Sequence, residues 1–265
     1  MDFPAFWKGV QQSVPLLADV RLEIVWQYRD LLFDGAWMTL KITLIAVIVG
    51  TIIGLIGGMS RLAHAAHGPW RLPLKYLVRW PVTLYVTFFR GTPLFVQIML
   101  VHFALMPALV HVDNGLLISG ELARTLKQEY GAFLSGLVAL TLNAGAYITE
   151  IFRAGIQSIH RGQTEAARSL GMNYWQTMIH VILPQAFRRM LPPLGNEAIM
   201  LLKDSSLVSA IGLAEMAYAA RTVAGAYSRY WEPYIVISLI YLAMTMLMAA
   251  GVARLEKRFQ QSGGV

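Results

Sequence analysis

Polar side chains interrupt two apolar stretches of this 265-residue chain. In the first stretch, Asn143, Tyr147 and Glu150 are spaced by four and three residues, which places them on one face of a helix. The second stretch contains a longer polar set: Asn196, Glu197, Lys203, Asp204, Ser205 and Ser206. Polar groups within membrane helices are costly and usually face a bundle interior or a water-filled cavity. These positions therefore predict a polar route lined by two helices.

Catalytic and metal-binding patterns are missing from the sequence. No nucleophile, base and orienting residue can be assembled into one site. The chain has no cysteine, which excludes disulfides and thiol chemistry. His64 and His67 share a helix face, but no third metal ligand is nearby. Because no phosphate-binding G-x-x-x-x-G-K-[ST] loop occurs either, we expect neither an enzyme nor a resident cofactor or metal.

The composition predicts an all-α, polytopic membrane protein. Hydrophobic residues make up 56% of the chain and charged residues 14%, and the mean hydropathy is +0.52. A bilayer core requires roughly 20 mostly apolar residues in a helix. Five segments approach this length: Trp37 to Met59, about Pro93 to Val110, Ala132 to Ile151, about Met190 to Ile211, and Tyr234 to Ala253.

The distribution of charge predicts the orientation of these five spans. Short loops rich in Lys and Arg stay in the cytoplasm, and the basic loops follow the first and third spans. The N-terminus is then outside and the C-terminus inside, which accounts for most of the net charge of +7 without nucleic-acid binding. We divide the chain into an extracytoplasmic or interfacial segment (1–33), a membrane domain (34–255) with a cytoplasmic loop (157–189), and a cytoplasmic tail (256–265).

The segment from Leu72 to Phe89 does not fit this alternation. It is apolar but contains Pro73 and Pro81, which we expect to interrupt a helix. A sixth crossing would also reverse the orientation of every later loop. We therefore expect this segment to lie at the membrane interface.

The cytoplasmic loop contains two short helices. Residues 165–170 are good helix formers, and Gly171 follows them where a left-handed C-terminal cap belongs. Apolar residues then recur at helical spacing from Tyr174 to Ile182, and Pro184 is expected to end this second helix at Leu183. Such a compact pair of helices can fit a groove on another protein, whereas a plain interfacial connection would need no such order.

Several spaced motifs carry a family resemblance. EAA at 165–167, Gly171, and V-x-L-P at 181–184 resemble the EAA motif of ABC importer membrane subunits, with Val181 in place of the consensus isoleucine. FRGTP at 89–93, NAGAYITEIFRAGI at 143–156 and KDSSL at 203–207 resemble polar amino acid importer permeases. The resemblance covers Asp34 to the C-terminus except for residues 112–130.

The resemblance implies a complex in a bacterial cytoplasmic membrane. Its other members would be a second permease subunit, identical or homologous, a cytoplasmic ABC ATPase dimer that binds ATP and Mg, and an extracytoplasmic amino acid-binding protein. The EAA region would be the coupling helix that docks into the ATPase. The implied docking residues are Glu165, Ala166, Ala167, Gly171, Leu183 and Pro184.

A polar amino acid carries an ammonium and a carboxylate group, so a site within the membrane needs paired acceptors and donors. The candidates for this pathway are Asn143, Tyr147, Glu150, Glu197, Lys203 and Ser205. Glu197 and Lys203 could instead form internal pairs, or Lys203 and Asp204 could mark a helix break. Arg90 and Gln97 flank Pro93 and are gating candidates, although Arg90 could also anchor the second span at the interface.

Two other functions remain open from the residues alone. An ion-coupled secondary transporter would use Glu150, Glu197 or Asp204 as a proton or cation site and would need no ATPase. An intramembrane enzyme is the other alternative, and the missing catalytic constellation argues against it. The five spans and the EAA-like loop favour the importer subunit.

Overall fold

The computed structural model describes residues 3–13, 19–62 and 71–261, which form helices and connecting turns. The all-α prediction is confirmed for these residues. The α-helices are α1 (Phe3–Ser13), α2 (Leu22–Gln27), α3 (Arg29–Leu62), α4 (Arg71–Pro73), α5 (Trp80–Gly91), α6 (Leu94–Leu100), α7 (Met106–Leu109), α8 (Gly120–Gln157), α9 (Arg161–Ser169), α10 (Tyr174–Thr177), α11 (Leu183–Asp204), α12 (Met216–Tyr227) and α13 (Trp231–Gln261).

Three helices in the described part of the chain are long and apolar enough to cross a membrane: α3, α8 and residues Trp231–Phe259 of α13. The helices Leu74–Gly91 and Leu94–Leu109 would add a fourth crossing if this pair, bent by 112°, is one span. The first, third and fifth predicted spans lie within α3, α8 and α13. Five spans with the N-terminus outside therefore stay a prediction.

The fourth predicted span, Met190 to Ile211, is wrong as a single helix. α11 begins earlier, at Leu183, and ends at Asp204, and a 3-10 turn follows over Ser205–Ile211. Its sequence contains Arg188, Arg189 and several internal polar residues, which lower its hydropathy. At Lys203 and Asp204, where a helix break was the alternative to solute contact, the α-helix changes directly into a 3-10 helix.

Prolines do not end the helices where the sequence predicted. Three π turns widen the backbone at Leu74–Arg79, Val101–Leu105 and Met178–Ile182. Each π turn ends two residues before a proline, namely Pro81, Pro107 and Pro184. A widened turn accommodates a residue that lacks an N–H donor and whose ring crowds the preceding turn. The helices therefore continue through Pro73, Pro81 and Pro184, and the three predicted interruptions are wrong.

The interface between α3 and α8 is the centre of the fold. Gly50, Gly54 and Gly58 recur every four residues along α3, which lets two membrane helices approach closely. A Cβ atom on Gly54 would lie 2.4 Å from Cγ2 of Ile148 on α8. This contact fixes α8, which supplies most of the candidate pathway residues.

The N-terminal segment packs on the start of α13. The backbone N–H of Arg21 donates to Oε1 of the buried Glu232 at 3.0 Å, and α3 already begins at Arg29, before the predicted boundary at residue 34. Helix α12 was not predicted, although the Glu215 side chain caps its N-terminus by accepting from the N–H groups of Ala217 and Tyr218. Glu215 is buried and also accepts from the Tyr241 hydroxyl at 2.9 Å, which ties α12 to α13.

Candidate functional site

A buried cluster of amide groups holds the bend between α5 and α6. The Asn143 side-chain amide on α8 donates to Oε1 of Gln97 at 2.9 Å. Gln97 in turn donates to the Phe89 carbonyl at 2.8 Å and to the carbonyl and hydroxyl oxygens of Thr92 at 3.0 and 2.8 Å. Both amides are buried. This cluster satisfies the backbone groups that the bend leaves without helical partners.

The cluster changes the predicted roles of Asn143 and Gln97. The side-chain amide of Asn143 donates to Oε1 of Gln97 and to the Phe89 carbonyl. It therefore has no free N–H donor for a solute. The role of Asn143 as a solute contact therefore stays a prediction, with its amide donors already used inside the protein. Gln97 lies next to the bend, where the gating candidate was predicted. Its hydrogen bonds connect the end of α5 to the start of α6.

An open cavity of about 420 Å³ lies between the end of α5, α8 and α11. Arg90 lies over the ring of Tyr147, with 5.3 Å between the guanidinium carbon and the ring centroid. The cavity is lined by Arg90, Tyr147, Glu150, Ile151, Ala154, Gly155, Ser158, Arg189, Met190 and Pro193. Three residues chosen from the sequence, Arg90, Tyr147 and Glu150, are thus brought together.

Glu150 is the shared counter-ion of two arginines. Nη1 of Arg61, in the last turn of α3, lies 2.6 Å from Oε2 of Glu150. Arg153, one turn along α8, also forms an ion pair with Glu150 and donates to Gln157. Glu150 is therefore a poor candidate for a solute ammonium site, because its charge is already neutralised by protein.

The remaining pathway candidates do not line this cavity. Glu197 is buried in α11, within electrostatic reach of Asp204 and Arg90. Lys203 is exposed, and the buried Ser205 hydroxyl donates to the Leu202 carbonyl at 2.7 Å. Ser205 stays a predicted pathway residue, but in this structure its hydroxyl is used by the backbone where α11 ends.

The EAA region forms a two-helix unit, which we define as residues 161–182 and call the docking unit. Gly171 has φ +81° and ends α9 as predicted. The N–H of Met172 donates to the Ala167 carbonyl at 3.1 Å and the N–H of Gly171 to the Arg168 carbonyl at 2.9 Å, which is a Schellman motif. Asn173 and Gln176 form a reciprocal capping box at the start of α10. Each backbone N–H group of residues 170–173, between the two helices, thus donates a hydrogen bond.

The sequence misplaced parts of the docking unit. α9 begins at Arg161, so Glu165 lies in its second turn and not near its start. Ala167 is only 4% exposed. The prediction that Ala167 belongs to the contact face is therefore wrong, because its side chain is packed inside the unit. Glu165, Ala166, Gly171 and Pro184 are exposed and Leu183 is half-buried.

Exposed apolar side chains cover the docking unit. Leu170 is 82% and Trp175 is 69% exposed, and Tyr174 and Ile179 are exposed beside them. We call these four residues the apolar patch. In the sequence, Tyr174, Trp175 and Ile179 indicate only a helix, and the exposure of Leu170 is not predicted. A large apolar residue beside a predicted capping glycine was the available signal.

Hydrogen bonds connect the docking unit and the end of α8 to the first two turns of α11. The Gln185 amide donates to Oε1 of Gln163 at 3.2 Å, and Nη1 of Arg189 donates to the Ser158 carbonyl at 2.6 Å. These bonds connect α9 and the end of α8 to α11. The same helix, α11, lines the cavity.

The described residues contain no group of three or more His, Asp or Glu side chains that could hold a metal ion. His64 and His67 lie outside the described residues.

Comparisons with known proteins agree with this geometry. Residues 71–261 match the family described as binding-protein-dependent transport system inner membrane component. The glutamine transport system permease protein GlnP of Escherichia coli (strain K12) is 35% identical over 236 residues, which cover 89% of this chain and 96% of that protein. The arginine transport system permease protein ArtQ of Bacillus subtilis is 33% identical over 231 residues, covering 87% and 93%.

A solved structure gives the same result. The crystal structure of an amino acid ABC transporter with histidines contains a chain that is 36% identical, with a TM-score of 0.73 and coverage of 88% of this chain and 96% of that chain. The resemblance to importer permeases is confirmed, and so is the expectation of a transport subunit and not an enzyme. The chain belongs to the family of binding-protein-dependent transport system inner membrane components.

Proposed function

We propose that this chain is the membrane subunit of an ATP-driven importer for a polar amino acid, coupled through the docking unit to a separate ATPase. The apolar patch carries the proposal. It lies on a unit whose helix ends are capped by its own backbone and side chains, so the patch is held in place without a partner. Exposed apolar side chains on a rigid support are typical of protein interaction sites.

The partners follow from the same proposal. The docking unit lies on the basic, cytoplasmic side, and the C-terminal tail lies on that side too. The complex would contain a cytoplasmic ATPase dimer with bound ATP and Mg, a second permease subunit, and an extracytoplasmic amino acid-binding protein in a bacterial cytoplasmic membrane.

The cavity supports a zwitterionic solute. Arg90 forms no ion pair with the described carboxylates and faces the cavity together with Arg189, whereas Glu150 is neutralised by Arg61 and Arg153. The cavity is therefore cationic, which suits the carboxylate of an amino acid. The names of the glutamine and arginine permeases among the relatives support the same class of solute.

Reconstitution tests the function. The chain would be placed in proteoliposomes with the ATPase and the binding protein encoded beside it, and uptake of a labelled polar amino acid would be measured. We expect uptake that requires ATP inside and binding protein outside. Uptake driven by an ion gradient without ATP would contradict the proposal and favour the secondary transporter.

A further inference from the structure

The π turn Met178–Ile182 lies between the docking unit's exposed face and the buried side of α11. Four buried residues, Thr177, Ile182, Ala186 and Met190, follow one another at spacings of five, four and four residues. The spacing of five spans the π turn. The same residues line one continuous stripe, which we call the buried stripe.

An uninterrupted α-helix would break this stripe. Each residue turns an α-helix by ~100°, so five residues would place Thr177 ~140° away from Ile182. In such a helix Met178, which already packs partly buried against the core, would lie ~40° from Ile182, and Ile179 would turn toward the buried side. In the structure Thr177 is buried and Ile179 is 53% exposed. The extra residue of the π turn therefore keeps Thr177 inside and Ile179 outside.

We infer that the π turn sets the direction in which the apolar patch faces relative to α11, by adding one residue to the spacing between Thr177 and Ile182 of the buried stripe. The inference rests on the proposed docking function. Pro184 favours the widened turn at this point, but the helix also contains Pro192 and Pro193 without a π turn. Proline alone therefore does not produce a π turn. The second condition for the π turn is the spacing of five residues between the buried Thr177 and Ile182.

Deleting one residue from the π turn and inserting one residue into it should have different effects. A regular α-helix at this position would be disturbed by both changes. Deleting the exposed His180 shortens the spacing from Thr177 to Ile182 to four residues, so an ordinary α-helix keeps Thr177 within ~40° of the stripe. Inserting one alanine after His180 turns the docking unit by ~100° relative to α11. Deletion should therefore be tolerated and insertion should not.

A cross-link measures the direction without any ATPase. Gln163 and Gln185 lie on opposite sides of the π turn, and their side-chain amides are 3.2 Å apart. The chain has no cysteine, so a Gln163→Cys and Gln185→Cys pair is the only reactive pair. With a short bis-thiol reagent, we expect the parent and the deletion variant to cross-link within about twofold of each other. The insertion variant should cross-link at least about tenfold less.

Capture of the cognate ABC ATPase is the second measurement, made on the same two register variants without the cysteines. We expect capture to be retained by the deletion and reduced at least about tenfold by the insertion. Equal loss of cross-linking in both variants, or equal retention in both, would overturn the inference. If the cross-links behave as expected but the parent protein captures no ATPase, the docking proposal fails and the role of the π turn in orientation stands.

Discussion

The docking unit and the interior of α8 distribute polarity in opposite ways. The docking unit exposes large apolar side chains such as Leu170 and Trp175 on two helices whose connection is held by hydrogen bonds. The interior of α8 buries polar side chains such as Asn143 and pairs them with protein groups. Exposed apolar area indicates a missing partner, whereas buried and satisfied polar groups indicate internal structure. The exposed apolar patch thus supports the proposed docking of a partner, and the buried amide cluster supports the bend between α5 and α6.

The largest expected effect is at Ala167, inside the docking unit. Ala167→Asp would bury a charge without a partner and should cost at least about 2 kcal/mol of local stability. Hydrogen exchange over residues 161–182 should show lost protection. Ala166→Asp, at the exposed neighbouring position, is the matched control and should keep that protection. Equal protection in the two variants would mean that Ala167 is not packed as described.

A smaller effect is expected at the amide cluster. Asn143→Leu leaves Oε1 of Gln97 without its donor, which should lower the free energy of unfolding by about 1–3 kcal/mol. Thermal unfolding in detergent measures this loss. Asn196→Leu, on an exposed face of α11, should change stability by about 0.5 kcal/mol or less. If Asn143→Leu unfolds like the parent but abolishes uptake, Asn143 is a solute contact after all.

The ion cluster at Glu150 should contribute less than the amides. Its side chain is 22% exposed, and those of Arg61 and Arg153 are 21% and 28% exposed, so water reduces the attraction. Glu150→Gln should cost about 1 kcal/mol or less, and the difference from the parent should shrink as salt is added. Glu121→Gln, which removes a more exposed pair with Arg124, should have no measurable effect. A salt-independent loss above about 2 kcal/mol would show that the cluster is desolvated.

The smallest effect is expected at Thr177. Its buried hydroxyl has no hydrogen-bond partner among the described residues. Thr177→Val keeps the shape and removes this hydroxyl, so the free energy of unfolding should stay within about 0.5 kcal/mol or rise slightly. Thermal unfolding of the detergent-solubilised protein checks this. A clear drop in the unfolding midpoint would mean that the hydroxyl is satisfied in solution.

Local signals predicted the docking unit better than the interior. The stop at Gly171 follows from residues within one helical turn, and the structure confirms it. The roles of Asn143, Glu150 and Ser205 depended on partners that are distant in sequence or belong to the backbone. Spacing on one helix face could place Asn143, Tyr147 and Glu150 together. It could not show that Asn143 is hydrogen-bonded to Gln97 or that Glu150 is paired with Arg61.

Local sequence signals also failed to predict the π turns. Pro81 and Pro184 are strong local signals for a helix end, yet both helices continue, because a widened turn accommodates the proline. Burial on either side of Pro184 favours continuation, and burial is a property of the packed structure. The spacing of five between Thr177 and Ile182 gains its meaning only once both are known to be buried.

Trp175 tests the central claim most directly, since it is 69% exposed on the apolar patch while Trp231 is 70% exposed at the start of α13. Trp175→Asp and Trp231→Asp would be compared for capture of the neighbouring ATPase by the purified, detergent-solubilised protein. Loss of a central aromatic anchor typically costs at least about 2 kcal/mol, or about 30-fold in affinity. We predict that loss for Trp175→Asp with unchanged thermal unfolding, and capture within about twofold of the parent for Trp231→Asp. Equal capture by both variants would contradict the assignment of the apolar patch as the docking surface.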